Sequence, residues 1–313
     1  MKNEEKINAR NVNYDLIRVI SIYLVIHIHC YETLGLDIPF LYYLGRCAVP
    51  LFLLLTGALF KKTVTFKKLI NIYIISFTYC AIFNLINCYI SNNFDFFEVV
   101  KNSLKLFVNS NHYSFSKHIW YLKQITIIYV FLYIFSTNLK KSIKFICSYL
   151  LFIIILLFNN KYNIVSLIGL FLVLIGFLIN KKIIFKNKIV LFFVFSIAFA
   201  LFVMSFNYIG KYTGDGWWYW NVFILMGSII IFLILVNIKF IPFEKILAEI
   251  SKSTFGMYII HLPYIFFLEK YIDFIEIPIL LKLLLLEIII FITSFYTSYL
   301  IGKIRYVKKL LWR

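Results

Sequence analysis

What the chain lacks narrows it first. It has no G-x-S-x-G elbow, no P-loop, no H-E-x-x-H helix and no Cys/His spacing of the kind that holds a metal, so serine-hydrolase, nucleotidase and zinc-protease readings lose their usual support. Its five cysteines, Cys30, Cys47, Cys80, Cys88 and Cys147, form no C-x-x-C pair and fall within or at the ends of apolar runs, which reads as buried inert thiols rather than a disulfide or metal framework. Acidic residues are few, 14 against 32 Lys and Arg, for a net charge of +18. No repeat of 20–50 residues is visible and no soluble domain is expected beside the apolar part.

What is present is apolar. Hydrophobic residues make up 62% of the 313 and aromatic residues 20%, with a mean hydropathy of +0.89. Soluble domains are nearer half apolar, so the composition predicts a polytopic, all-α membrane protein. In a soluble chain the basic excess would suggest nucleic acid. Here the basic residues lie between apolar spans, where they set topology, and no nucleic-acid partner is expected.

Ten spans are predicted, at about 14–34, 41–60, 69–90, 119–137, 145–158, 164–180, 189–208, 218–237, 255–271 and 279–301, in one integral-membrane domain over 1–313. The first reads as a retained helix and not a signal peptide. With the N-terminus inside, the inner segments 1–13, 61–68, 138–144, 181–188, 238–254 and 302–313 hold 22 lysines and arginines, against five in the outer segments: Lys101, Lys105, Lys117, Lys161 and Lys211. This bias predicts cytoplasmic N- and C-termini. The outer segment 91–117 has apolar residues at helical spacing and is expected to hold a short interfacial helix.

The stretch Asp15 to Glu32, DLIRVISIYLVIHIHCYE, carries the densest polar pattern inside an apolar span. Arg18 and His29 are eleven residues apart, about 16 Å along a helix and about 20° from alignment, so they share a face. Asp15 lies one turn from Arg18 and Glu32 one turn from His29. Charges inside a membrane-length segment are costly and mark a site by default. A neutral imidazole in such a place, with a carboxylate one turn away, is a workable general base: His29 would take a proton from an acceptor hydroxyl while Glu32 orients the ring.

Other polar groups fall in the outer half of the predicted spans: Arg46, His118, Lys123 and Glu287, with Glu269 and Lys270 at the outer end of the ninth. His261 lies deeper, with Tyr258 on its face. Plainer roles stand beside these. Lys123, Lys270 and Lys282 are placed to snorkel, Arg18 alone could anchor the inner surface, and His261 could simply pack. His27 points away from His29 and reads as structural, while Glu287 is too deep to snorkel, is expected to pair with a basic group or line a cavity, and is counted with the candidate substrate-binding residues.

Four segments, in order, resemble the acyltransferase-3 family of integral-membrane acyltransferases. Arg18-x10-His29 after Asp15-Leu-Ile is similar to its R-x10-H signature; RCAVPLFLLLTG from Arg46 to Gly57 resembles R-x-x-V-P-L-F-F-x-x-S-G; HIWYL from His118 to Leu122 resembles H-L-W-Y-L; and SKSTFGMYIIH from Ser251 to His261 resembles S-x-x-x-(F/Y)-G-x-Y-x-x-H. The resemblance implies transfer of an acyl group, usually acetyl, from acyl-coenzyme A to a saccharide hydroxyl, commonly of a lipid-linked or surface glycan. It implies a multi-pass protein of the bacterial cytoplasmic membrane with no permanently bound cofactor. By motif, Arg18 and His29 carry over as functional, and Arg46, His118, Trp120, Tyr121, Tyr258 and His261 as site-lining. The family's R-x-x-R pair after span two is replaced here by KKTVTFKKLIN, so coenzyme phosphates would fall to Arg18, Lys67 and Lys68, the lysines giving point charge without arginine's fork. Two other classes also fit the apolar layout: a non-enzymatic polysaccharide exporter or assembly protein on the same scaffold, and a proton-coupled transporter using His29, His261 and Glu287. Against the latter, Gly/Pro-broken helices in symmetry-related positions are lacking.

Overall fold

The computed structural model describes residues 11–60, 120–136, 161–180, 222–272, 274 and 276–304, with isolated positions between 70 and 101. The elements among them are helical, with no strand among the described residues: α1 (Val12–Thr33), α2 (Pro39–Arg46), α3 (Ala48–Ala58), α4 (Trp120–Ser136), α5 (Lys161–Asn180), α6 (Val222–Val236), α7 (Glu244–Ile272) and α8 (Ile279–Lys303). Three stretches are long and apolar enough to cross a membrane: Val12–Thr33, Pro39–Ala58 and Ile279–Lys303. The ten-span boundaries at 69–90, 145–158 and 189–208, and the proposed interfacial helix, lie wholly or mostly outside the described residues.

Local chemistry sets where these helices begin and break. Asn11 caps α1, its Oδ1 accepting from the Asn13 amide at 3.0 Å. Pro39 opens α2, where its missing N–H costs nothing. Pro50 cannot donate to the carbonyl of Arg46, four residues back, and the second apolar run divides at Cys47 into α2 and α3. α7 begins at Glu244, well before its apolar portion, and carries Ser251 as well as His261 on one continuous rod.

Polar side chains fix the relative directions of the helices. α1 and α7 run parallel: Arg18 meets Ser251 at one end and His29 meets His261 at the other. α6 runs the opposite way, its start beside Cys47, whose Sγ lies 3.9 Å from the Ile224 carbonyl, and its end beneath Asn13. The Asn13 side-chain Nδ2 donates to the carbonyls of Leu235, Val236 and Ile238 at 2.8–3.1 Å, satisfying groups that the end of a helix leaves open. α5 also ends there, with the Tyr14 hydroxyl donating to Asn180 at 3.0 Å.

Small residues let backbones touch. α3 and α5 lie against each other so closely that a β-carbon at Gly57 would stand 1.8 Å from the Val173 carbonyl oxygen, and one at Gly176 would stand 1.9 Å from that of Leu54. α7 and α8 meet at Gly256 and Ser298, and the Ser298 hydroxyl donates to the Ser253 carbonyl at 2.9 Å. The other side of α8 is a sheet of exposed Leu280, Leu281, Leu284, Leu285, Ile288 and Ile292, an apolar surface suited to lipid.

Candidate functional site

The parallel packing of α1 on α7 turns the Arg18–His29 face toward one neighbour. At the lower end Asp15 is fully buried and accepts twice on Oδ1, from the Ser251 hydroxyl at 2.6 Å and from Arg18 Nη1 at 3.1 Å. Arg18 Nη1 also lies 3.3 Å from Ser251 Oγ. The carboxylate offsets the guanidinium charge and aims it, while the Arg18 side chain stays 32% exposed. A cation held this way suits an anionic ligand.

Eleven residues on, His29 lies in a partly open position, its side chain 17% exposed. Its ring faces that of buried His261, centroids 5.3 Å apart and 35° from parallel. The carbonyl of Met257 can only accept, so the 3.3 Å contact to His261 Nδ1 places the proton on that nitrogen. An aromatic wall continues from there: Tyr258 is 5.9 Å from His261, Tyr121 is 5.6 Å from Tyr258, and Phe52 is 6.2 Å from Tyr121. Edge-on and tilted rings of this kind present a flat apolar face with polar rims.

Glu32 stands farther from His29 than the expected orienting contact. Glu32 Oε2 is 3.6 Å from His29 Nδ1, close enough for electrostatic support but beyond a hydrogen bond. The other oxygen, Oε1, accepts from Arg46 Nη2 at 2.6 Å. Arg46 also donates to the Tyr42 hydroxyl at 2.5 Å and lies over the Tyr42 ring, 4.6 Å from its centroid. Arg46 thus ties Glu32 of α1 to α2.

Glu287 pairs with a basic group, as its depth in α8 predicts. Oε1 lies 2.6 Å from His27 Nδ1, Oε2 accepts a short hydrogen bond from the Tyr23 hydroxyl, and the side chain is 3% exposed. His27 Nε2 donates to the Leu41 carbonyl at 2.9 Å. Both ring nitrogens of His27 are thus engaged within the protein. Among the described residues, no group of three His, Cys, Asp or Glu could hold a metal ion, and Cys30 and Cys47 are free buried thiols.

Lys67, Lys68 and His118 lie outside the described residues, as do the side chains of Trp120, Lys123 and Lys270. The structure brings together Arg18, His29, Tyr121, Tyr258 and His261 along α7, with Glu32 and Arg46 beside His29 and Glu287 on another side of α1. Ser251 was absent from the candidate residues. Its signal was its place as the first residue of the segment that ends in His261, one helix-length below it.

A helical chain with membrane-length apolar helices, and a cation and an imidazole lined up between two of them, defines an integral-membrane protein with an internal polar site. The chain matches the acyltransferase domain of the acyltransferase-3 family over residues 11–303, and it belongs to that family. It is an acyl-transferring membrane enzyme. No curated protein and no solved structure matches it.

Proposed function

We propose that the enzyme moves an acetyl group from acetyl-coenzyme A to a hydroxyl of a surface or lipid-linked saccharide in the bacterial cytoplasmic membrane, with His29 as general base. The observation that carries this reading is the single face on which Arg18 and His29 both meet α7, at Ser251 and His261. An anion-attracting group and a proton acceptor are then about 16 Å apart along one helix, a layout for a donor whose charged and reactive ends are separated. Arg18, with Lys67 and Lys68, would hold the coenzyme phosphates from the inner side. The thioester carbon would lie near His29, where an acceptor hydroxyl arrives from the outer side. His29 removes the hydroxyl proton as the oxygen attacks, and the coenzyme thiolate leaves. Tyr121, Tyr258 and Trp120 would receive a sugar face, with Arg46, His118 and His261 at its polar edges.

The ten-span layout with both termini cytoplasmic belongs to this proposal. It draws support from helix direction: α1 and α7, the first and ninth spans, run one way, and α5 and α6, the sixth and eighth, run the other.

Radiolabelled acetyl transfer from acetyl-coenzyme A into the glycolipid or polysaccharide fraction of membranes tests the reading. Label is expected with the wild-type protein and only background with His29→Ala at equal protein level. Equal label in both would remove His29 from the mechanism, and label from another acyl donor alone would remove acetyl. A second outcome concerns the donor end. Asp15→Ala leaves Arg18 and Ser251 without the carboxylate that aims them, and the KM for the acyl donor should rise about tenfold with kcat little changed. An unchanged donor KM would sever Arg18 from donor binding.

A further inference from the structure

We infer that His27, Glu287 and Tyr23 act as a positioning cluster that fixes the rotation of α1, and so aims His29 at α7; the inference rests on His29 being the base. Between Val19 and Ile28, α1 is apolar on nearly every side. Ile, Leu and Val faces are close to interchangeable in an apolar surround, so packing alone specifies rotation weakly, while interhelical hydrogen bonds specify it well. His27 sits about 200° around α1 from His29, on the opposite side of the helix. There it is held from two elements at once, by Glu287 on α8 at 2.6 Å and by the Leu41 carbonyl on α2 at 2.9 Å.

Tyr23, one turn earlier, binds the second oxygen of the same carboxylate. The backbone of α2 closes on this point as well: a β-carbon at Gly45 would stand 2.8 Å from Ile28 Cβ and 3.1 Å from His27 Cδ2. Two helices, α2 and α8, therefore grip one side of α1, and His29 emerges on the other against His261.

The donors and acceptors balance. The Leu41 carbonyl only accepts, so His27 Nε2 carries a proton. The contact from Nδ1 to Glu287 Oε1 holds one more, on whichever atom. The Tyr23 hydroxyl donates to Oε2. With that single shared proton the pair is neutral overall, which is how a carboxylate and an imidazole are tolerated in an apolar interior. Both Glu287 oxygens are turned to protein, so Glu287 is here a positioning residue and not one that meets the acceptor.

The test uses two readouts. The first is geometric: His29→Cys and His261→Cys in a chain whose five native cysteines are replaced, with the crosslinking rate by a short dithiol-reactive reagent reporting the facing of α1 and α7 without any turnover. The second is kinetic, in the chain that keeps His29. Glu287→Gln can donate to His27 Nδ1 and accept from Tyr23, and both readouts should stay within about threefold of the parent. Glu287→Leu should lose the crosslink and lower kcat about 100-fold, the scale of a small misplacement of a catalytic group, with the donor KM unchanged. If Glu287→Leu does not give monodisperse protein, His27→Leu combined with Glu287→Leu leaves no orphaned partner of the ion pair and must give the same two losses. Crosslinking at the parent rate in either leucine variant overturns the proposal. A lost crosslink with undiminished kcat leaves the positioning role standing and removes His29 as base. A Glu287→Gln protein that crosslinks normally yet loses turnover shows that the charge or proton matters and not the geometry, and also overturns it.

Discussion

His29→Gln should lower the rate of acyl transfer by about 10²- to 10⁴-fold, the range that a positioned general base supplies, with folded protein recovered at the parent level. The separation of the two effects follows from the site. The His29 ring is partly open and makes its contacts to another ring and, at 3.6 Å, to a carboxylate, so glutamine can occupy its space without stranding a tightly bound buried partner. Glutamine cannot accept and release the proton of a hydroxyl at a useful pKa. Glu32→Gln should cost far less, within about tenfold, because the carboxylate is 40% exposed, is screened by solvent and is already shared with Arg46. Single-turnover transfer with the two variants side by side reads the contrast. A Glu32→Gln loss as large as that of His29→Gln would mean the two act as one unit, and a fully active His29→Gln would place the base elsewhere.

Gly57→Ala and Gly176→Ala should each leave little folded protein. At both positions the added carbon meets a carbonyl oxygen of the facing helix at under 2 Å, and the obstacle is backbone that no rotamer change can move. α3 and α5 would have to part by about 1.5 Å to restore contact distance. That opens packing along their whole length, a loss of several kcal/mol by the usual core mechanisms. Gly169→Ala on the same helix is the control. Its new carbon meets the tip of Ile128 at 2.9 Å, a flexible end that can turn aside, and a cost near 1 kcal/mol is expected. Size-exclusion profiles and thermal unfolding in detergent measure all three. A Gly57→Ala protein as stable as its parent would show that α3 and α5 do not approach this closely.

Much of this arrangement was legible in the sequence, and the parts that were not share a cause. Local relations came through because helical geometry is periodic: Asp15 beside Arg18, Glu32 near His29, and Arg18 aligned with His29 on one face all follow from residue spacing. Relations across the chain did not. His27 reads as structural and Glu287 as needing a basic partner, yet nothing in either stretch says that each is the other's partner, 260 residues away. Ser251 escaped for the same reason. Glu32 was expected to orient His29 directly, but it stands 3.6 Å away and its other oxygen is held by Arg46; the reach of an arginine from a second helix cannot be read from one. Hydropathy also marks where lipid would end and not where a helix ends, so α7 begins at Glu244 although its apolar portion starts near 255. The splitting of the second apolar run at Cys47, by contrast, was available in Pro50.

The alignment of Arg18 and His29 along α1 makes that helix a ruler. If, as proposed, the donor is gripped by its phosphates at Arg18 and reacts at His29, the arm between the two must span about 16 Å. Shorter carriers would be bound and yet idle, occupying the entrance as competitive inhibitors, and acyl groups on them would be refused by length before chemistry is attempted. The two stations are fixed on rigid, parallel helices tied at Ser251 and His261, so neither can slide to meet a shorter arm.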